Sequence, residues 1–340
     1  MSLTIRRARE LLAAFPRQRI AVIGDLMLDR YVQGAVDRIS PEAPVPVVRV
    51  VSERAVPGGA SNVAVNLRAM GASVSLVGGV GRDAAGRELL ALLRAARVDH
   101  SAVLRLRGVP TTVKTRVLAE RQQVCRIDRE AALTWDERTL AAARAAADAA
   151  VSNATGVVLE DYGKGFLCPA VVETAAAAAG RRGIAIGLDP KEGRELKVRG
   201  LTVATPNRRE AFAAAGHPDP GPADDPLRDA ALRRVAGLLL RRWRLGHLLV
   251  TLGPHGIYLA HPGAPPRHVP TRALEVYDVS GAGDTVIAVD VLALAAGAAA
   301  LEAAELANYA AGVVVAKLGT AVCTPEELIA HMRECGARES

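Results

Sequence analysis

The residues best placed to do chemistry lie in Val276-Tyr277-Asp278-Val279-Ser280-Gly281-Ala282-Gly283-Asp284-Thr285, ahead of the apolar run Val286 to Leu294. A Gly-x-Gly turn opening a helix aims free backbone N–H groups outward, and the helix start carries partial positive charge. Gly281, Ala282 and Gly283 therefore suit an anion such as phosphate. An aspartate repels an anion, so Asp284 needs a different task. In phosphoryl transfer that task is to accept the proton of the attacking hydroxyl. The competing reading is a helix cap. The field of the helix start is expected to lower the pKa of Asp284. No Gly-x4-Gly-Lys-Ser/Thr occurs in the chain, which excludes a P-loop kinase.

Other residues could serve a ligand. In Pro57-Gly58-Gly59-Ala60-Ser61-Asn62, the paired glycines allow close backbone approach, and Asn62 can donate to and accept from sugar hydroxyls. A glycine turn with an Asn cap explains the same residues. Asp25 and Asp29 follow the first apolar run, where carboxylates suit sugar hydroxyls or a turn. Asn207 and Glu210 in Thr205-Pro206-Asn207-Arg208-Arg209-Glu210 fall one helical turn apart, which also fits a capping box. Asp161-Tyr162-Gly163-Lys164 and Asp189-Pro190-Lys191 each place a carboxylate and a lysine after an apolar run. Lys164 and Lys191 could meet phosphates there or simply be solvated. Gly78-Gly79-Val80-Gly81 through Gly86 has the wrong spacing for a dinucleotide fingerprint.

The elements that position these residues alternate. Apolar runs at 19–25, 74–77, 157–159, 184–188, 201–204 and 248–252 read as strands. Helical stretches at 62–70, 86–96, 136–151, 169–179, 208–215 and 227–242 separate them. This order predicts an α/β fold with a mostly parallel central sheet covered by helices, and ligands at the carboxyl ends of its strands. Two extended segments, about 31–51 and 111–129, break the alternation. They suit a small separate β-sheet or a pair of edge hairpins.

Composition sets limits. The 340 residues fit one large α/β domain or two small ones; aromatics are 3%, so Ala, Val and Leu must build the core. The net charge of +7 is dispersed, with no block of basic residues. That argues against nucleic-acid binding and suits an anionic substrate, although a genome bias toward Arg and Ala explains it equally. Cys125, Cys168, Cys323 and Cys335 lack metal-type spacing and read as thiols of a reducing compartment. The segment from Ser2 to Phe15 has too short an apolar run for a signal peptide, and 286–300 is too short to span a membrane. A soluble, cytoplasmic protein with no membrane partner is expected.

Gly-Ala-Gly-Asp after Asp278 resembles the signature of the ribokinase-like (PfkB) carbohydrate kinases, and the Gly58-Gly59-Asn62 and Asn207-x-x-Glu210 motifs match the same family. The resemblance covers Ile20 to about Cys323. It is strongest to the heptose 7-phosphate kinases of bacterial ADP-heptose synthesis, through Gly24 to Tyr31, Arg38 to Val47, Asp161 to Gly165, Glu275 to Ile287 and Lys317 to Thr320. Glu160 stands where that branch usually carries Ser.

The resemblance implies a single ribokinase-like kinase domain over 1–340, with a small β lid. It also implies a catalytic Asp284 at the Gly281-Ala282-Gly283 cradle. The sugar would be held by Asp29, Gly58, Gly59, Asn62, Lys164 and Lys191. ATP would meet Asn207, Arg208, Arg209, Glu210 and Asp278, with Mg²⁺ on Glu210 through water and K⁺ left open as a further cofactor. The implied reaction is ATP-dependent phosphorylation of the anomeric hydroxyl of D-glycero-β-D-manno-heptose 7-phosphate, for lipopolysaccharide cores. The alternatives are another ribokinase-like sugar kinase or a catalytically silent sugar-phosphate binder. Branch members often carry a nucleotidyltransferase half with His-x-Gly-His. None occurs here, so a stand-alone kinase is expected, as a homodimer joined through apolar lid strands.

Overall fold

The computed structural model describes residues 3–120, 122–192 and 198–340. Ser2 and Arg121, which fall in the expected N-terminal and lid segments, lie outside the described residues. In chain order the elements begin with α1 (Ile5–Ala14), β1 (Arg19–Gly24), β2 (Leu26–Ile39), β3 (Pro46–Gly59), α2 (Ala60–Ala69), β4 (Ser73–Val77), β5 (Gly79–Gly81), α3 (Ala84–Ala95) and β6 (Leu104–Leu106). There follow β7 (Thr112–Ala119), β8 (Gln122–Arg129), α4 (Glu137–Ser152), β9 (Gly156–Glu160), α5 (Pro169–Arg182), β10 (Ala185–Asp189), β11 (Val203–Ala204) and α6 (Arg208–Ala215). The last are α7 (Ala230–Trp243), β12 (His247–Thr251), β13 (Ile257–Ala260), β14 (Arg267–Val269), α8 (Ala282–Ala295), α9 (Ala300–Val315) and α10 (Pro325–Glu334).

The central sheet has the order β14-β13-β12-β11-β10-β9-β1-β4. It is parallel from β4 to β12, and β13 and β14 are antiparallel additions. Alternation along β1 sends Ile20 and Val22 into one core and Ala21 and Ile23 into the other. The first core takes the apolar faces of α1, α2, α3, α8, α9 and α10; the second takes those of α4, α5, α6 and α7. Both faces of the sheet are therefore covered, as its continuous apolar strands require.

Helix α8 is buried from Asp284 to Ala293. A helix apolar all round can be satisfied only in this way, enclosed between a sheet and other helices. Its first two residues, Ala282 and Gly283, stay open to solvent, and Asp284 begins the buried stretch.

A second sheet has the order β3-β2-β7-β8. Here the sequence reading needs correcting. Strand β2 starts at Leu26, so Asp29 lies within a strand and not in a turn. Pro57, Gly58 and Gly59 end β3 and form no turn of their own. Hydrogen bonds to β2 keep β3 extended up to Gly59, and α2 starts at once. The expected strand at 201–204 shrinks to β11, and β13, β14, α9 and α10 had not been read.

Candidate active site

Glycine 281 caps α8 with φ +79, a left-handed conformation that favours glycine. An added Cβ there would also lie 2.7 Å from Asn62 Nδ2. Asp284 is the third residue of the helix, so it is not the cap. It is 3% exposed. Asn62 Nδ2 donates to its Oδ2 at 2.6 Å, and the Tyr162 hydroxyl donates to its Oδ1 at 2.7 Å. Burial raises its pKa, and the hydrogen bonds from Asn62 and Tyr162 oppose the rise. The expected lowering does not occur, because loss of solvent outweighs the donors around the carboxylate.

The donors are themselves held. Asn62 lies in the first turn of α2, and its Oδ1 accepts from Asn66 Nδ2 at 3.2 Å. Asn66 Oδ1 in turn accepts from the Thr285 hydroxyl at 3.2 Å. Asn62, expected to meet a sugar hydroxyl, is thus turned toward Asp284. Tyr162 is fixed through its backbone. Asp25, 2% exposed, accepts the N–H groups of Tyr162, Lys164 and Phe166 at 2.8–2.9 Å and pins that loop. Burial, and then the charge of Asp284, push the Tyr162 hydroxyl well above its ordinary pKa, so it is a neutral donor. Tyr162, Asn66 and Thr285 were not singled out as site residues in the sequence. Only the adjacency of Tyr162 to Asp161 and Lys164 pointed toward it.

The second sheet contributes Asp29, 5% exposed and paired with Arg116 of β7 at 2.8 Å. Gly58 makes room for it: an added Cβ would sit 2.5 Å from Asp29 Oδ2. Arg116 and Arg54 both lie over the Tyr31 ring. Lys114, two residues before Arg116 on β7, sits 5.6 Å from the Tyr162 ring centroid and has no ion pair among the described residues. The two lysines expected to meet phosphate are engaged: Lys164 with Glu130 at 2.6 Å, Lys191 with Glu210 at 3.5 Å.

At the start of α6, Asn207 and Glu210 form a complete capping box. One oxygen of Glu210 serves the cap, and the other faces Lys191. Arg208 is drawn into a structural cluster with Asp219, Asp229 and the Phe212 ring. Arg209 pairs with Glu192 and is otherwise exposed. Asp278 accepts from the N–H groups of Ser280 and Gly319 at 2.9 Å, tying together the two loops beside the cradle.

Next to Gly283 opens a mainly apolar cavity of about 460 Å³, lined by Gly256, Val279, Ala282, Val286, Ala311 and Val315 among others. An apolar slot bordering a helix N-terminus suits a flat heteroaromatic group attached to phosphates. Most of its lining comes from elements far apart in sequence. No helix among the described residues is long and apolar enough to cross a membrane.

The architecture matches known proteins along nearly its whole length. Phosphofructokinase-2 from Escherichia coli, solved in complex with potassium, superposes with a TM-score of 0.75 at 21% identity, covering 94% of this chain and 99% of the other. Arabidopsis thaliana ribokinase, solved with ribose and ATP, gives 0.70 at 20% identity, covering 93% and 99%. The fold is thus ribokinase-like. In sequence the chain is 46% identical over 322 residues to the bifunctional protein HldE of Azorhizobium caulinodans, covering 94% of this chain and 65% of that protein. It is 45% identical over 325 residues to its namesake in Pseudomonas paraeruginosa, covering 95% and 65%. The chain therefore spans just under two thirds of the length of these relatives. The family model described as pfkB family carbohydrate kinase matches residues 17–327. With that match, and with an aspartate held at a glycine-opened helix start, the chain belongs to the pfkB family of carbohydrate kinases.

Proposed function

We propose that the chain phosphorylates the anomeric hydroxyl of D-glycero-β-D-manno-heptose 7-phosphate with ATP, giving the 1,7-bisphosphate used in ADP-heptose synthesis. The observation that carries this reading is the 46% identity to a bifunctional HldE protein over 94% of the chain. The site supports it chemically. Asn62 and Tyr162 each occupy one lone pair on Asp284 and leave others for an incoming hydroxyl. Asp284 would take the hydroxyl proton as the phosphoryl group arrives, and its burial makes it a better acceptor than an exposed aspartate. Backbone N–H groups at Gly281 to Gly283 would face the transferring phosphoryl group, where negative charge develops. The apolar cavity beside Gly283 would hold the adenosine.

Mg²⁺, when bound, neutralises the phosphate chain. Glu210 would hold it through water by Oε1, in place of the Lys191 ammonium that this oxygen faces at 3.5 Å, while Oε2 stays in the cap. Asp278 joins the loops that border the cradle, the region where a K⁺ ion would act on its geometry.

On the sugar side, Asp29 and Arg116 would face ring hydroxyls. Lys114 joins Lys164 and Lys191 as a candidate for the distal phosphate, and it alone of the three lacks an ion-pair partner among the described residues. The second sheet acts as the lid of a single kinase unit.

The test is ATP consumption by the purified chain across a panel of sugars and sugar phosphates. Heptose 7-phosphate should be used far better than unphosphorylated heptose or ribose. Comparable kcat/KM for ribose would favour another ribokinase-like sugar kinase, and no turnover with any sugar a silent binder.

A further inference from the structure

Beneath Asp284 the sheet brings two more carboxylates together. Glu160 and Asp189 end adjacent parallel strands and are direct register partners. Like charges opposite each other on neighbouring strands destabilise a sheet unless something neutralises them. One carboxylate oxygen from each of Glu160, Asp189 and Asp284 lies within 4.8 Å of the others. That is the separation expected of oxygens around one divalent cation, where each bond is about 2.0–2.6 Å.

Among the described residues the side-chain donors to these groups are neutral. Asp189 accepts from the neutral Thr205 hydroxyl at 2.7 Å, and Asp284 from the neutral Asn62 and Tyr162. The neighbouring ammonium, Lys191, is paired with Glu210. Glu160 is the decisive member. It is 0% exposed, no donor reaches either of its carboxylate oxygens among the described residues, and its carboxyl lies against that of Asp189. A buried carboxylate in that state is strongly disfavoured, so it must bind a cation or keep a proton. Three converging oxygen ligands, with no nitrogen or sulfur, match a hard divalent ion. Asp189 is part-exposed, which gives an ion a way in from the cleft. An added Cβ on Gly283 would lie 3.8 Å from Asp189 Oδ2, so this carboxylate borders the phosphate cradle.

We propose that Glu160, Asp189 and Asp284 form a divalent-cation site that fills before nucleotide binds and is separate from the Glu210 position. The ion would neutralise a cleft that must admit two phosphorylated substrates.

The test uses Mn²⁺ alone, followed by electron paramagnetic resonance on nucleotide-free protein stripped with chelator. The wild type should bind one Mn²⁺ per chain. Glu160→Gln should weaken that binding by about 10–100-fold, the usual effect of disturbing a metal's protein shell. Glu210→Gln should retain it. The idea is overturned if the wild type binds no Mn²⁺, if Glu160→Gln binds as tightly as wild type, or if Glu210→Gln abolishes binding. Should Glu160→Gln fail to fold, Asp189→Asn takes its place and should weaken Mn²⁺ binding over the same range.

Discussion

Replacing Asp284 by Asn removes the proposed base while keeping its shape. The buried surroundings decide how cleanly the experiment reads. In the wild type both carboxylate oxygens accept, from Asn62 Nδ2 and from the Tyr162 hydroxyl. An asparagine can keep one acceptor toward Asn62 and turn its amide toward Tyr162, whose hydroxyl rotates to accept. The variant therefore keeps two hydrogen bonds but loses their charge assistance. Hydrogen bonds to charged groups contribute about 1.5–3 kcal/mol and neutral ones about 0.5–1.5, so the two bonds together weaken by at most a few kcal/mol. Removing a carboxylate that burial already disfavours offsets part of this, and a small change in Tm is expected. Catalysis should respond very differently. Loss of a general base lowers kcat by about 10²–10⁴-fold, a barrier increase of roughly 3–5 kcal/mol. Coupled ATP-consumption kinetics would give kcat, and calorimetry would show nucleotide and sugar still binding. Tyr162→Phe supplies the control, since it removes a holder of the base but leaves the base in place; its kcat should fall less than that of Asp284→Asn. Near wild-type turnover by Asp284→Asn, in protein that binds both ligands, would refute the mechanism.

Three further outcomes follow from particular contacts. Lys114→Gln should raise KM for a phosphorylated sugar by about 10–150-fold, the equivalent of one charge-assisted hydrogen bond, and leave KM for ATP unchanged; equal effects on phosphorylated and unphosphorylated sugars would remove Lys114 as the phosphate handle. The second sheet exposes Ile39, Val51 and Ile127 at 58–70%, and the loop between β2 and β3 exposes Val45 at 51%, so a two-fold dimer through this sheet is expected. Sedimentation should show it at micromolar concentration, and Ile39→Glu with Val51→Glu should dissociate it; a fully active wild-type monomer would refute it. Asp83 caps α3 and also accepts from the Thr111 backbone and hydroxyl. Burial raises its pKa, but those hydrogen bonds outweigh burial and hold it below the ordinary 3.8. Its contribution, about 1 kcal/mol for a cap, is thus present above that value and lost as pH falls through the lowered pKa. Urea unfolding of wild type and Asp83→Asn should differ at neutral pH and converge in acid; a gap independent of pH would show that the carboxylate charge is not involved.

Much of the architecture is written in local pattern. Continuous apolar runs such as Ile20 to Ile23 and Val157 to Leu159 can only be strands covered on both faces, and the helices between them follow from length and period. The Gly281-Ala282-Gly283 turn and the aspartate after it are likewise legible, because a glycine-opened helix start has one dominant chemistry. Local pattern failed where long-range pairing overrides it. Asp29 looked like a turn residue because polar side chains follow β1, yet pairing with β3 and β7 keeps the backbone extended through it. Asn62 had the hydrogen-bonding groups of a sugar ligand, and only the packing of α2 against α8 turns it to Asp284. Charge was the least legible property. Lys164, Lys191 and Lys114 are equivalent as residue types, and ion pairs with Glu130 and Glu210 separate them. The helix field alone argued for a lowered pKa at Asp284, whereas enclosure between the sheet and α2 raises it. Glu160 was one unusual residue at a strand end; the register of β9 with β10 makes it one of three carboxylates around a common point. The sequence by itself determined which chemical groups exist and which backbone periods are available. The tertiary structure decided which groups meet and which lose water, because both depend on contacts between residues far apart in the chain.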